Sequence, residues 1–178
     1  MSNCFIVAGP AASGKSEFAR KLSAHLNYTW IDFDDYINEL VRENQELISK
    51  IGMEDFLRQV REIRYRDLMD RAKIALERGK DIVVSAPFTA EVQDENLWRA
   101  RLEPVTRLGI TPKLFWIETS PDVRRERMAS RAEERDKEKV AKYVFQTISP
   151  KVERTIVDGE GDFAVYIADT FADRDKSE

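Results

Sequence analysis

Short apolar runs alternate along the chain with longer stretches of helical spacing. Asn3 to Ala8 is a continuous apolar run ending in Gly-Pro, the pattern of a strand buried on both faces. Gly14 to Leu26 follows, with Phe18, Leu22 and Leu26 one helical turn apart. Tyr28 to Asp34 predicts a second strand, Asp81 to Ala86 a third, Pro112 to Glu118 a fourth and Phe163 to Ala168 a fifth. Strands separated by crossovers of helical length predict an α/β fold, a three-layer sandwich with a parallel sheet between helices. The stretch from Tyr36 to Arg78 is longer than one crossover needs. It predicts two or three helices, and residues 36–78 are the expected wall of an acceptor site. A second excess, residues 121–148, is the expected lid. Ser120-Pro121-Asp122 opens it with an N-cap, a proline at the first helical position and an acid at the positive dipole end. No linker divides residues 1–178, so one domain is expected, with a charged tail from Asp173 to Glu178.

Composition narrows the classes. Hydrophobic residues make up 42% of the 178, enough for one sizeable core. The formal charge of −4 offers no general basic footprint for duplex nucleic acid. The single cysteine, Cys4, excludes an internal disulfide, and one His beside it is a poor zinc inventory. No apolar run is long enough for a membrane span or resembles a secretory leader, so a cytoplasmic, reducing compartment is expected.

Chemistry enters at Gly9-Pro10-Ala11-Ala12-Ser13-Gly14-Lys15-Ser16, which matches the P-loop pattern G-x-x-x-x-G-K-[ST] between a strand and a helix. Glycines let the backbone curl its N–H groups around phosphate oxygens, and the following helix aims its positive end at the same anion. Gly9, Ala11, Ala12, Ser13, Gly14, Lys15, Ser16 and Glu17 are therefore the candidate nucleotide-binding residues. Lys15 reaches for the β- and γ-phosphates, and the Ser16 hydroxyl is a candidate Mg²⁺ ligand. No N-K-x-D base-reading motif occurs, which argues against a GTPase switch. The third strand ends Ser85-Ala86 with no acid to polarise water, which favours transfer to a bound acceptor over hydrolysis.

Asp32 and Asp34 close the second strand, and period-two alternation puts them on one face at the end where ligands of parallel sheets collect. Asp32 is the candidate metal residue and Asp34 the candidate general base for an acceptor hydroxyl. Asp34 and Asp35 are alternatively N-caps of the helix from Tyr36. Further on, Arg124, Arg127, Arg131 and Arg135 form a column on one helical stretch. Stacked like charges destabilise a helix, so they make sense opposite a polyanion; Arg131 and Arg135 are the candidates for stabilising a phosphoryl-transfer transition state, and Arg131 is also a candidate nucleotide-binding residue. The alternative is a solvated face neutralised by Glu126, Glu133, Glu134 and Asp136. Arg58, Arg61 and Arg64 raise the same choice, between a solvated face and recognition of an anionic acceptor.

The P-loop at Gly9 to Ser16, the Asp32-x-Asp34 pair and Arg131-Ala-Glu-Glu-Arg135-Asp136 together resemble the small P-loop kinase group of gluconate kinase, shikimate kinase, chloramphenicol phosphotransferase and zeta-toxin-like ATP-binding proteins. The resemblance spans nearly the whole chain. It implies a five-stranded parallel sheet in order 2-3-1-4-5, ATP with Mg²⁺, a helical lid, and transfer of the γ-phosphoryl group to a hydroxyl of a small molecule. Many members carry an acid at the end of the third strand; here Ser16 and Asp32 are left as the protein's metal ligands. A polynucleotide-end kinase and a nucleotide-binding regulatory or toxin module of negligible turnover are the alternatives. A monomer or weak homodimer is expected, with no membrane partner and nucleic acid disfavoured.

Overall fold

The computed structural model describes residues 2–131 and 145–172. Five parallel strands, β1 (Cys4–Ala8), β2 (Thr29–Asp32), β3 (Ile82–Ala86), β4 (Lys113–Glu118) and β5 (Thr155–Asp158), form one sheet in order β2-β3-β1-β4-β5. This is the strand order the kinase resemblance implies. Between and after them run α1 (Lys15–Leu26), α2 (Ile37–Glu43), α3 (Gln45–Ile51), α4 (Met53–Gln59), α5 (Arg61–Glu77), α6 (Glu95–Thr106), α7 (Pro121–Arg131) and α8 (Phe163–Phe171), with a 3₁₀ turn at Glu91–Gln93. No helix among the described residues is long and apolar enough to cross a membrane.

The pleat divides the core in two. Cys4, Ile6 and Ala8 face α5 and α6 together with Ile82, Val84, Leu114 and Trp116. Phe5 and Val7 face α1 and α8 with Val83, Phe115 and Ile117. The connection leaving β1 thus covers one face, and the connection leaving β3 covers the other. Neighbouring strands whose connections part in this way open a crevice at their carboxyl ends, where open α/β sheets bind ligands.

Two expectations about elements are corrected. Phe163–Ala168 is not the fifth strand but lies in α8, and β5 lies earlier. The Asp162 carboxylate accepts from the Ala164 and Val165 amides, which starts a helix, and Phe163, Ile167 and Phe171 share its buried face. Phe163 meets Phe18 edge-on at 5.3 Å, locking α8 against α1. Residues 36–78 hold four helices rather than two or three. Gly52, with φ +84°, separates α3 from α4. Neither α2 nor α3 has a fully buried residue, and α4 has only Phe56, so this wall is weakly anchored while α5 is held by Tyr65, Leu68, Met69, Ala72 and Leu76.

Candidate active site

The P-loop leaves β1 at Ala8 and enters α1 at Lys15. Ala12 (φ +61°) and Gly14 (φ +98°) are left-handed on either side of Ser13. Such alternation turns successive amides toward one concavity, a nest for an anion. Alanine in that region is strained by about 1–2 kcal/mol, a conformation that persists where the surroundings over-determine it. Room for side chains is absent at the glycines. A β-carbon on Gly9 would stand 2.5 Å from Ser13 Oγ, and one on Gly14 would press 3.1 Å from the Phe163 ring. The buried Ser13 hydroxyl has no hydrogen-bond partner among the described residues.

The back of the loop is pinned. The Ser13 carbonyl accepts from Thr119 Oγ1 at 2.9 Å and Arg127 Nη1 at 3.2 Å, while Arg127 Nη2 donates to the Gly159 carbonyl at 2.8 Å. In a trans peptide the C=O and the next N–H point oppositely, so two donors behind the Ser13 carbonyl turn the Gly14 amide toward the nest. Arg127 therefore meets backbone carbonyls of the loop and the β5–α8 turn. Arg124, fully buried, donates to the Gln146 carbonyl at 2.6 Å. These two members of the arginine column donate to protein carbonyls. Arg131 ends α7 with its side chain outside the described residues, and Arg135 lies outside them altogether. Glu17, in the first turn of α1, pairs with Lys21 at 3.3 Å.

Asp32 is the last residue of β2, opposite Ser85 in the β2–β3 register. Trp30 packs on the α1 side of the sheet, so Asp32, two residues on, shares the face from which the P-loop helix springs. Its Oδ1 accepts the Asp34 amide at 2.7 Å and its Oδ2 the Ser85 hydroxyl at 2.7 Å. The chain then turns, Asp35 N donating to the Asp32 carbonyl at 3.2 Å, so strand alternation ends before Asp34. Asp34 instead receives a charge-assisted bond from Arg64 Nη2 of α5 at 2.7 Å, and Arg64 itself stacks over Phe33. One carboxylate thus belongs to the α1 side and the other to the helical wall. Asp34 is 62% exposed. Neither Asp34 nor Asp35 caps α2, whose N-cap is Tyr36 at φ +64°. Asp35 closes the turn: its Oδ2 accepts the Asp32 amide and Arg71 Nη1.

Arg58 and Arg61 of the wall are also paired. Arg58 meets Glu54 and Asp55, and Arg61 and Arg101 converge on the buried Glu91 carboxylate while stacking on Tyr65. Burial opposes the charge of Arg61, yet Glu91 outweighs it with help from Tyr65 and Glu62, and the guanidinium is held above its ordinary range. A hydrogen bond from Arg101 holds Glu62 below the ordinary carboxylate range. Tyr65 Oη accepts the Phe88 amide at 2.9 Å, fixing a left-handed Phe88 (φ +46°) just beyond β3. Phe88 and Trp98 pack edge-on at 5.6 Å. Ala12, Tyr36 and Phe88 put a strained residue after each of the three strands that border the crevice.

Sequence reasoning passed over Thr119, Gly159 and Glu91, and it gave Arg127 only as part of the arginine column and Ser85 only as the place of a missing acid. Ser85 was readable as the partner of Asp32 once β2 and β3 were taken as neighbours; Glu91 carries no local signal. A cavity of about 700 Å³ lies away from this chemistry, between α6 and the starts of β4 and β5, lined by Trp98, Leu102, Leu114 and Val152. The convergent amides and carboxylates put the candidate site at the carboxyl ends of the strands.

Residues 5–155 match the AAA domain family. The chain belongs to that family. Its fold is that of the small P-loop kinase group. A proposed kinase from Chloroflexus aurantiacus J-10-fl has 18% identity and a TM-score of 0.67, with 99% of this chain and 98% of that one covered. A gluconokinase from Sinorhizobium meliloti 1021 has 16% identity and a TM-score of 0.59, covering 98% and 92%. A shikimate kinase from Aquifex aeolicus vf5 has 17% identity and a TM-score of 0.54, covering 97% and 96%. At these identities the likeness is one of fold. Among curated proteins, none matches the chain in sequence.

The nest shaped by the left-handed Ala12 and Gly14 fits a polyphosphate. Ser16 and Asp32 offer the hard oxygens that Mg²⁺ takes, and one or two protein ligands suffice when phosphates complete its shell. No group of three or more His, Cys, Asp or Glu fit for a metal occurs among the described residues.

Proposed function

We propose that the protein is a phosphotransferase that moves the γ-phosphoryl group of ATP to a hydroxyl of a small molecule. The observation that carries this reading is the division of labour at the crevice: an anion nest backed by Thr119 and Arg127, Asp32 on the nest's side of β2, and Asp34 turned to the helical wall. Fold neighbours named gluconokinase and shikimate kinase support an acceptor of modest size. Ser16 and Asp32 would hold Mg²⁺, which would supply positive charge against that of the phosphates.

The P-loop amides and Lys15 bind and orient the triphosphate. Asp34, reachable from solvent, accepts the proton of the acceptor hydroxyl as its oxygen bonds to the γ-phosphorus and the bond from that phosphorus to the β–γ bridging oxygen breaks. The second product is ADP. Arg64 holds the Asp34 carboxylate in place through one oxygen. Arg131 and Arg135 are the proposed source of transition-state charge from residues 121–148.

Asp34→Asn keeps size and loses basicity. It should lower kcat by roughly 10²- to 10⁴-fold while ATP affinity scarcely moves. Steady-state kinetics beside calorimetric ATP binding reads both; a matched loss of ATP affinity would instead make Asp34 part of the nucleotide site.

A further inference from the structure

Where relatives of the resembled group place an acid at the end of the third strand, β3 carries Ser85, 1% exposed and opposite Asp32. Two hydrogen bonds meet at its hydroxyl. Trp30 Nε1 lies 2.8 Å from Ser85 Oγ, and Ser85 Oγ lies 2.7 Å from Asp32 Oδ2. Their direction is forced. An indole nitrogen only donates, so Ser85 accepts from Trp30. Its one proton then goes to the carboxylate, which as an ion only accepts. With the Asp34 amide on Oδ1, each oxygen of Asp32 has one fixed donor, and the carboxylate cannot rotate without breaking both bonds. The remaining lone pairs keep a fixed orientation on the α1 side of the sheet.

We propose that Ser85, its hydroxyl oriented by Trp30, is a positioning residue that presets the Asp32 carboxylate for the magnesium–nucleotide complex. The inference rests on the phosphotransferase reading. Its chemistry is the ordinary one of groups behind a metal ligand: a carboxylate already held by neighbours loses less freedom when it engages the ion or its water shell. A second acid at the Ser85 position would add charge to the site; a hydroxyl driven by an indole adds orientation without charge.

The test uses the full chain, with Ser85→Ala, Ser85→Thr and Trp30→Phe as variants. Calorimetry measures ATP affinity with excess Mg²⁺ and again with a chelator. Ser85→Ala should weaken Mg·ATP binding about tenfold and leave chelator-condition binding unchanged. Ser85→Thr, which keeps the hydroxyl, should restore the difference. Trp30→Phe, which frees the hydroxyl to rotate, should show a smaller loss of the same sign. The indole N–H signals of Trp30, Trp98 and Trp116 give a second readout by NMR. Adding Mg²⁺ to the ATP-bound chain should shift the Trp30 signal, and Ser85→Ala should abolish that response. Equal affinity loss with and without Mg²⁺, or an unaltered Mg·ATP affinity in Ser85→Ala, would overturn the positioning role. A wild-type chain that binds no nucleotide would overturn the phosphotransferase reading itself, and that arm is read before any variant.

Discussion

Cys4 opens β1 at 2% exposure, and burial pushes its thiol from 9.0 up to about 12. Burial raises Tyr65 above its ordinary value in the same way. Both groups favour their neutral forms in the fold, so the stability they contribute is complete below their ordinary values and declines as pH climbs through the raised ones. Stability in urea should therefore fall once pH exceeds about 9, the thiol's ordinary value, with Cys4→Ala flattening the first part of the decline. Alkylation tests the same residue directly: Cys4 should react with iodoacetamide in denaturant and scarcely at all in the native chain at mildly alkaline pH. At this scale the sequence was only partly legible. Lys15, Ser16, Asp32 and Asp34 announce themselves because a motif or an alternation names them. Thr119, Arg127 and Ser85 act through contacts between residues 53 to 114 positions apart, and no local pattern reports those contacts.

Among the elements, the P-loop, the turn after β5 and the start of α8 form one unit. A β-carbon on Gly159 would stand 2.7 Å from the Ser13 carbonyl oxygen and closer still to Thr119 Oγ1. Gly159→Ala should thus lower the melting temperature and ATP affinity together, whereas Gly109→Ala, in open space but at φ +74°, should show only the strain of its backbone. Arg127→Ala removes two bonds to carbonyls and releases the peptide that aims the Gly14 amide. It should weaken ATP binding with Mg²⁺ or with chelator alike, by about tenfold, which separates it from Ser85→Ala. Calorimetry on the two variants makes the comparison. The misreading of α8 has a physical source. Phe163-Ala-Val-Tyr-Ile-Ala168 is short and apolar enough to fit a strand, and the helix is decided by the Asp162 cap and by Phe18 waiting across the interface. β5 hid because only Val157 of its four residues is buried, leaving little hydrophobic pattern to read.

For the molecule as a whole, a parallel sheet follows from the spacing of strands and crossovers, and its order is the one the resemblance to the small P-loop kinases implies. The acceptor does not follow: α2 to α4 are anchored chiefly through Phe56, and Arg58, Arg61 and Arg64 are each paired with an acid. Helical spacing reports which residues pack, and the acceptor would be read by those that do not. The central claim is phosphoryl transfer, and one measurement meets it most directly: incubation of the chain with ATP labelled in the γ-phosphate, Mg²⁺ and a library of small hydroxyl compounds, with oligonucleotides in a parallel arm and Lys15→Ala as control. The account predicts label on one class of small molecule and its loss in Lys15→Ala. Label on oligonucleotide ends, release to water alone, or equal transfer by Lys15→Ala would contradict it.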